Sequence, residues 1–336
     1  MKILLSGYHN PQFLTITEYM EEAIQALGHE LYVFDDRQHI IPGRIRNRIQ
    51  WLHELDLHRI NRQFESLALD KKPDIVIVTG GHRIISKTIS ALKEKNIETI
   101  LWTIDPPVDF QPIINVAPYY DHIFCQGTEA MELLDQAGIT GARWLPVACD
   151  PLHHHPVSLS PEDRRRYAHD VVFVGSYYPD RAELFSKLIQ FDLAIWGPGW
   201  DRLNSDSLLR QYVKGAHTTP TEWLKIYSAS RMVLATHYKD PDNKFSVYQA
   251  SPRIFEAMAC GAFVISDRQR DVLALFKDGT HLVTFKSPDD LFDKMKYYLN
   301  NPSERKQISR LGREAVLRHH TYLMRIVAML SSINDQ

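Results

Sequence analysis

Short apolar runs rich in Ile and Val alternate with longer amphipathic stretches through the first half of the chain. The runs lie at Lys2 to Ser6, His29 to Phe34, Asp74 to Thr79, Thr99 to Thr103 and His122 to Gln126. Their hydrophobicity is continuous, not alternating, which predicts strands covered on both faces. Between them, apolar residues at helical spacing predict helices over Ile16 to Leu27, Arg59 to Leu69, Ile85 to Lys95 and Thr128 to Ala137, with Gly28 and Gly138 as C-terminal stops. Such alternation predicts an α/β, doubly wound parallel sheet.

The pattern pauses over Leu145 to Ala168, where Pro146, Pro151, Pro156, Pro161 and a charged run resist regular structure and predict a linker. It restarts with Asp170 to Gly175, Leu193 to Trp196, Arg231 to Thr236 and Ala262 to Ser266, a second sheet of the same kind. From Pro288 onward the spacing is helical, over Leu291 to Leu299, Glu304 to Arg318 and Thr321 to Ile333.

A chain of 336 residues is long enough for two cores, and 44% hydrophobic with 24% charged residues is an ordinary globular composition. Lys and Arg number 39 against 41 Asp and Glu, so the balance gives no reason to expect non-specific nucleic-acid binding. The basic clusters Arg44, Arg46, Arg48 and Arg164, Arg165, Arg166 read as solvated faces. Cys125, Cys149 and Cys260 form no paired motif, the N-terminal apolar run is too short for a signal peptide, and no membrane-length apolar stretch occurs. A reducing, cytoplasmic location and no membrane span are expected.

Ligands of open parallel sheets bind beyond the carboxyl ends of the strands. The informative residues are therefore His9, His82 and Asp105 in the first half, and Gly175, Ser176, His237 and the segment leading into Glu256 in the second. The strongest local signal runs from Ser251 to Gly261, a helix with Ser251 at the N-cap and Pro252 at its first position. Its free N–H groups suit an anion. Arg253 and Glu256, three apart on one face, would clamp a phosphate and accept from vicinal hydroxyls; the spacing equally permits a surface ion pair. Arg181, near a helix start behind Gly175 and Ser176, has a similar pair of readings, phosphate contact or a solvent-facing side chain beside a tight turn.

No GxGxxG follows the first strand, and neither a phosphate-binding GxxxxGK[ST] loop, a GxSxG elbow nor an HExxH occurs, so dehydrogenase, NTPase and hydrolase readings lose support. Asp240-Pro241-Asp242 has the form of a metal-holding acidic pair, but a turn at Pro241 is the better reading. His153, His154 and His155 lack metal-ligand spacing and read as linker. Trp196 and Trp200, flanking Gly197 and Gly199, read as packing residues.

The stretch from Arg253 to Asp267, with Leu275-Phe276 and His320-Thr321-Tyr322 downstream, resembles the spore-maturation CgeB-like glycosyltransferases. Phe173 to Ser176 with Arg181, Trp196 to Trp200, Leu101 to Pro106 and Leu145-Pro146 extend the resemblance over most of the chain. It implies a GT-B fold, two Rossmann-like domains facing across a cleft. Residues 1–150 would bind acceptor, 151–318 would bind nucleotide sugar, and 319–336 would form a helix crossing back. It implies no metal and no cofactor beyond the co-substrate, a nucleoside-diphosphate sugar expected to be UDP-linked. Glu256 matches the family glutamate at the ribose, Ser251 to Arg253 the diphosphate site, and Lys214 and Gly215 a loop that meets the base. Related retaining transferases carry a second glutamate eight positions before the first; here Tyr248 stands there.

Transfer from such a donor needs charge stabilised on the departing diphosphate, for which Arg253, Arg181 and the helix N–H groups are candidates. The acceptor hydroxyl must lose a proton, for which His82, Asp105 and His9 are candidates; if the reaction retains configuration no enzyme base is required, and the same residues would only orient the sugar. The acceptor itself stays open among glycan, protein, lipid carrier, small molecule and modified nucleobase. An epimerase or hydrolase of the same fold, or a non-catalytic nucleotide-sugar-binding protein, is the alternative.

Overall fold

Two separate parallel sheets of six strands each carry the chain. The computed structural model describes residues 1–11, 13–46, 48–240 and 245–334. They fall into two units, one of Met1–Pro146 together with the segment from Arg325 onward, the other of Val147–Met324.

In the first unit the strands are β1 (Lys2–Gly7), β2 (Glu30–Asp35), β3 (Ile75–Thr79), β4 (Glu98–Thr103), β5 (His122–Cys125) and β6 (Arg143–Trp144), in the order β2-β1-β3-β4-β5-β6. Ile3, Leu4 and Leu5 of β1 are fully buried, as continuous hydrophobicity requires of a strand covered on both faces. Helix Ile16–Ala26 starts at a capping box, Thr15 with Glu18, which contributes about 1 kcal/mol. Helix Gln50–Lys71 is longer than its apolar pattern predicts. Only Asp56, Ile60, Phe64 and Ala68, at four-residue spacing, with Asn61, are buried, so its first turns carry little periodic signal.

The second unit has β7 (Val171–Val174), β8 (Leu193–Trp196), β9 (Val213–Gly215), β10 (Met232–Ala235), β11 (Val264–Asp267) and β12 (Val283–Phe285), in the order β12-β11-β10-β7-β8-β9. Three strands were not expected from sequence: β6, β9 and β12 have only two or three residues each and lie at sheet edges. The predicted linker also carries a helix, Pro161–Tyr167, begun by a capping box of Ser160 and Asp163. Its apolar content is too low to announce it; the cap and Pro161 start it.

The last three helices are Pro288–Asn300, Pro302–His319 and Tyr322–Asn334. The final one is bonded to the first unit, where Arg325 Nε donates to the Pro146 carbonyl at 2.6 Å and Arg143 Nη1 to the Ser332 carbonyl at 3.2 Å. Among the described residues no helix is long and apolar enough to cross a membrane. One surface assignment needs correcting. Arg46 is largely buried and faces Asp56 at 3.5 Å, whereas Arg44 and Arg48 are exposed.

Both sheets reverse direction of winding at one point, between β1 and β3 in the first and between β7 and β10 in the second. Loops leave a switch point in opposite directions and open a crevice at the strands' carboxyl ends. These two crevices are where ligand chemistry is to be sought.

Candidate functional site

At the second switch point the chain leaves β7 at Val174 and β10 at Ala235, and two arginines bridge the gap. Arg253, in the first turn of helix Pro252–Ala259, donates from Nε to the Val174 carbonyl at 2.5 Å and from Nη1 to the Thr236 carbonyl at 3.4 Å. Arg181, in helix Pro179–Ser186, donates from Nη2 to that same Thr236 carbonyl at 2.9 Å, from Nε to Thr236 Oγ1 at 3.1 Å and from Nη1 to the Ser176 carbonyl at 2.9 Å. Both guanidinium groups lie over the Phe173 ring, at 4.5 and 5.2 Å from its centroid. Among the described residues neither has a carboxylate partner within ion-pair distance. Two cations therefore sit side by side, held by neutral carbonyls and an aromatic face. Burial lowers the Arg181 guanidinium to about 10, and the neighbouring charge of Arg253 adds to the effect. Such a pair is electrostatically incomplete without an anion.

Ser251 stands at the N-cap with Pro252 following it, but its hydroxyl accepts no hydrogen bond from the helix. Glu256, one turn on from Arg253, is not its ion-pair partner. Its carboxylate has no hydrogen-bond partner among the described residues and keeps partial exposure. Burial pushes it up to about 7, with Arg253 pulling the other way. Tyr227, buried in helix Pro220–Ala229, is close enough to both charges for each to act on its hydroxyl. The surface ion pair that the spacing permitted is not formed.

The loop after β7 passes so close to Arg253 that a Cβ at Gly175 would run into its guanidinium. Gly197, after β8, has φ +136°, and a side chain there would collide with the Gly175 carbonyl. Trp200 is buried, stacks on Phe185 at 5.7 Å and donates from Nε1 to the Gly175 carbonyl at 2.9 Å; Trp196 is buried against the rings of Tyr167 and His169. Both tryptophans are packing residues, and Trp200 also fixes the loop. Lys214 and Gly215 lie on β9, an edge strand and not a loop, and the Lys214 ammonium is exposed and donates to the Gln211 carbonyl at 3.2 Å. A cavity of about 470 Å³ opens at the carboxyl ends of β10, β11 and β12, with Arg181, Thr236, His237 and Asp267 in its wall.

In the first unit a smaller cavity, about 140 Å³, occupies the switch point of its sheet. His82 and Asp105 line it, with Tyr8, Asp36, Arg37 and Arg83. Sequence reasoning missed Asp36, although it directly follows the β2 run. Its carboxyl is buried, accepts from Ser6 Oγ at 3.5 Å and faces Arg83 Nε at 3.8 Å; burial pushes it up to about 6, against the pull of Arg83 and Arg37. His9 is not among the lining residues and pairs instead with Glu21 at 2.5 Å. Of the acidic pair around Pro241, only Asp240 is among the described residues.

Residues 181–331 match the glycosyl transferase-like family. The spore protein CgeB of Bacillus subtilis (strain 168) is 21% identical over 247 residues, covering 70% of this chain and 75% of that protein. The sucrose-phosphate synthase tll1590 of Thermosynechococcus elongatus superposes with a TM-score of 0.75 at 14% identity, over 99% of this chain and 98% of that one. Anabaena Alr3699/HepE, solved in complex with UDP and glucose, superposes with a TM-score of 0.68 at 13% identity over the whole of both chains. The chain has the GT-B fold and is similar to CgeB over most of its length. In this GT-B chain the family match begins at Arg181 and takes in Arg253 and Glu256.

Proposed function

We propose that the protein is a metal-independent glycosyltransferase that moves a sugar from a UDP-linked donor held by the second unit to an acceptor held by the first. The observation that carries this reading is the pair Arg181 and Arg253, two cations with no ion-pair partner among the described residues, meeting at one carbonyl beside a helix start whose N-cap side chain makes no capping bond, with the carboxylate of Glu256 one turn away. A pyrophosphate supplies the missing negative charge, and ribose hydroxyls supply donors to Glu256. The family match of residues 181–331 and the UDP complex of Anabaena Alr3699/HepE support the same reading.

Cleavage of the bond between sugar and diphosphate leaves negative charge on the diphosphate oxygen. Arg253, Arg181 and the first-turn N–H groups are fixed before the reaction and need no reorganisation to meet that charge. The protein's own cations thus do the work assigned elsewhere to a divalent ion. Asp36, Asp105 and His82 share the first-unit cavity, and one of them takes the acceptor's proton. Asp36 is the best placed by environment, because burial holds its carboxyl near neutrality.

The test is incubation with UDP-sugars, with and without acceptor extracts, followed by UDP release and product mass. Acceptor-dependent UDP release with a sugar-sized mass gain is expected. Release without acceptor would make the protein a hydrolase instead.

A further inference from the structure

His237 is buried and lies outside the groups assigned above to substrate, yet it is bonded on both ring nitrogens. Nε2 lies 2.9 Å from the backbone nitrogen of Ser251, the residue that begins the arginine-bearing helix. A backbone amide can only donate, so Nε2 must be the acceptor and the ring proton must sit on Nδ1. Nδ1 lies 2.6 Å from Asp267 Oδ1, which also accepts from the His237 backbone N–H at 3.1 Å. Gln269 Nε2 holds the other carboxylate oxygen at 2.8 Å. The geometry defines one tautomer from two sides.

The preceding residue is Thr236, whose carbonyl receives both arginines. Two consecutive residues after β10 thus fix the Arg181 guanidinium, the Arg253 guanidinium and the start of the helix that carries Arg253 and Glu256. Asp267, at the end of the adjacent β11, locks the second of these residues in place. Although burial opposes it, the hydrogen bonds from the His237 ring and backbone and from Gln269 hold the Asp267 carboxyl below the usual carboxylate range.

We propose that His237, oriented by Asp267, is a positioning residue for the donor site: it sets the helix start and, through it, the placing of Arg253 and Glu256. This rests on the donor reading above. His237 lines the 470 Å³ cavity together with the charged groups Asp180, Arg181, Glu183, Lys187, Lys239, Asp267, Arg268 and Lys286.

The experiment titrates UDP into wild type, His237→Asn, His237→Gln and Glu256→Ala, and records the His237 ring tautomer by nitrogen NMR. Asn keeps a donor for Asp267 but is too short to reach the Ser251 amide; Gln keeps an acceptor at the Nε2 position. His237→Asn should weaken UDP about tenfold or more, and His237→Gln should recover most of that loss, while a merely structural role would give both the same affinity. The wild-type ring should be the Nδ1–H form. If His237→Asn binds UDP as wild type does while Glu256→Ala does not, the positioning role is refuted and the donor site stands. If Glu256→Ala also binds normally, the donor reading falls and this inference falls with it. Should His237→Asn not fold, Asp267→Asn takes its place, with the tautomer as readout: retention of both the Nδ1–H form and wild-type UDP affinity would overturn the proposal.

Discussion

Arg181 and Arg253 donate to one and the same acceptor, the Thr236 carbonyl, at 2.9 and 3.4 Å. Like charges this close repel, and the arrangement persists because Phe173 and the strand-end carbonyls hold each guanidinium separately. An anion between them turns that repulsion into binding energy.

Arg253→Ala is expected to weaken UDP by about 1.5–3 kcal/mol, the usual worth of hydrogen bonds to charged groups. Arg181→Ala should do the same and in addition lower the melting temperature, because its three hydrogen bonds reach buried Thr236 and the loop after β7. Calorimetric titration beside thermal unfolding separates the two effects.

Glu256 has a folded-state value of about 7 against an ordinary 4.5. For an acid raised on folding, the folded state binds the proton more tightly, so stability is greatest below pH 4.5 and falls as the pH rises through about 7. Glu256→Gln should remove that slope and make the ligand-free protein more stable at pH 8 than wild type. Ribose hydroxyls prefer the ionised carboxylate, so wild-type UDP affinity should drop as pH falls below about 7. Denaturant unfolding and titration across this range check both signs.

Asp36→Asn should lower turnover about a hundredfold, within the range for loss of a general base, and leave UDP affinity unchanged. Loss of UDP binding in this variant would contradict the division of roles between the two units.

Gly197→Ala places a methyl group against the Gly175 carbonyl at φ +136°. A loss of at least about 1 kcal/mol in stability is expected, together with weaker UDP binding as the loop shifts. Chemical denaturation and the same titration report it.

EDTA should leave activity intact, since arginines and helix N–H groups meet the leaving-group charge. Collapse of activity on chelation, restored by a divalent ion, would move attention to Asp240 and Asp242.

Strands β1, β3 and β4 were legible as unbroken apolar runs because each buries on both faces; β2 was legible too, but it is an edge strand with most of its residues exposed or half-buried, not one covered on both faces. Strands β6, β9 and β12 were not, because two or three residues hold no periodicity and pairing with a sheet edge decides them. The site was half legible. Gly175, Arg181, Arg253 and Glu256 follow from strand ends and a helix start; Asp36 was missed, although the same rule applied to the end of β2 points to it. That Arg253 turns to Val174 and Thr236 and not to Glu256 is tertiary, set across 79 and 17 residues of sequence. The Asp267–His237–Ser251 chain spans 30 and 14 residues and has no local signature.

The most direct test of the account is the binding of UDP to wild type compared with Arg253→Ala and Glu256→Ala, by calorimetry at pH 8. Saturable one-site binding to wild type, weakened at least about tenfold in each variant, is the predicted result. Absence of binding to wild type, or equal affinity in all three proteins, would contradict it.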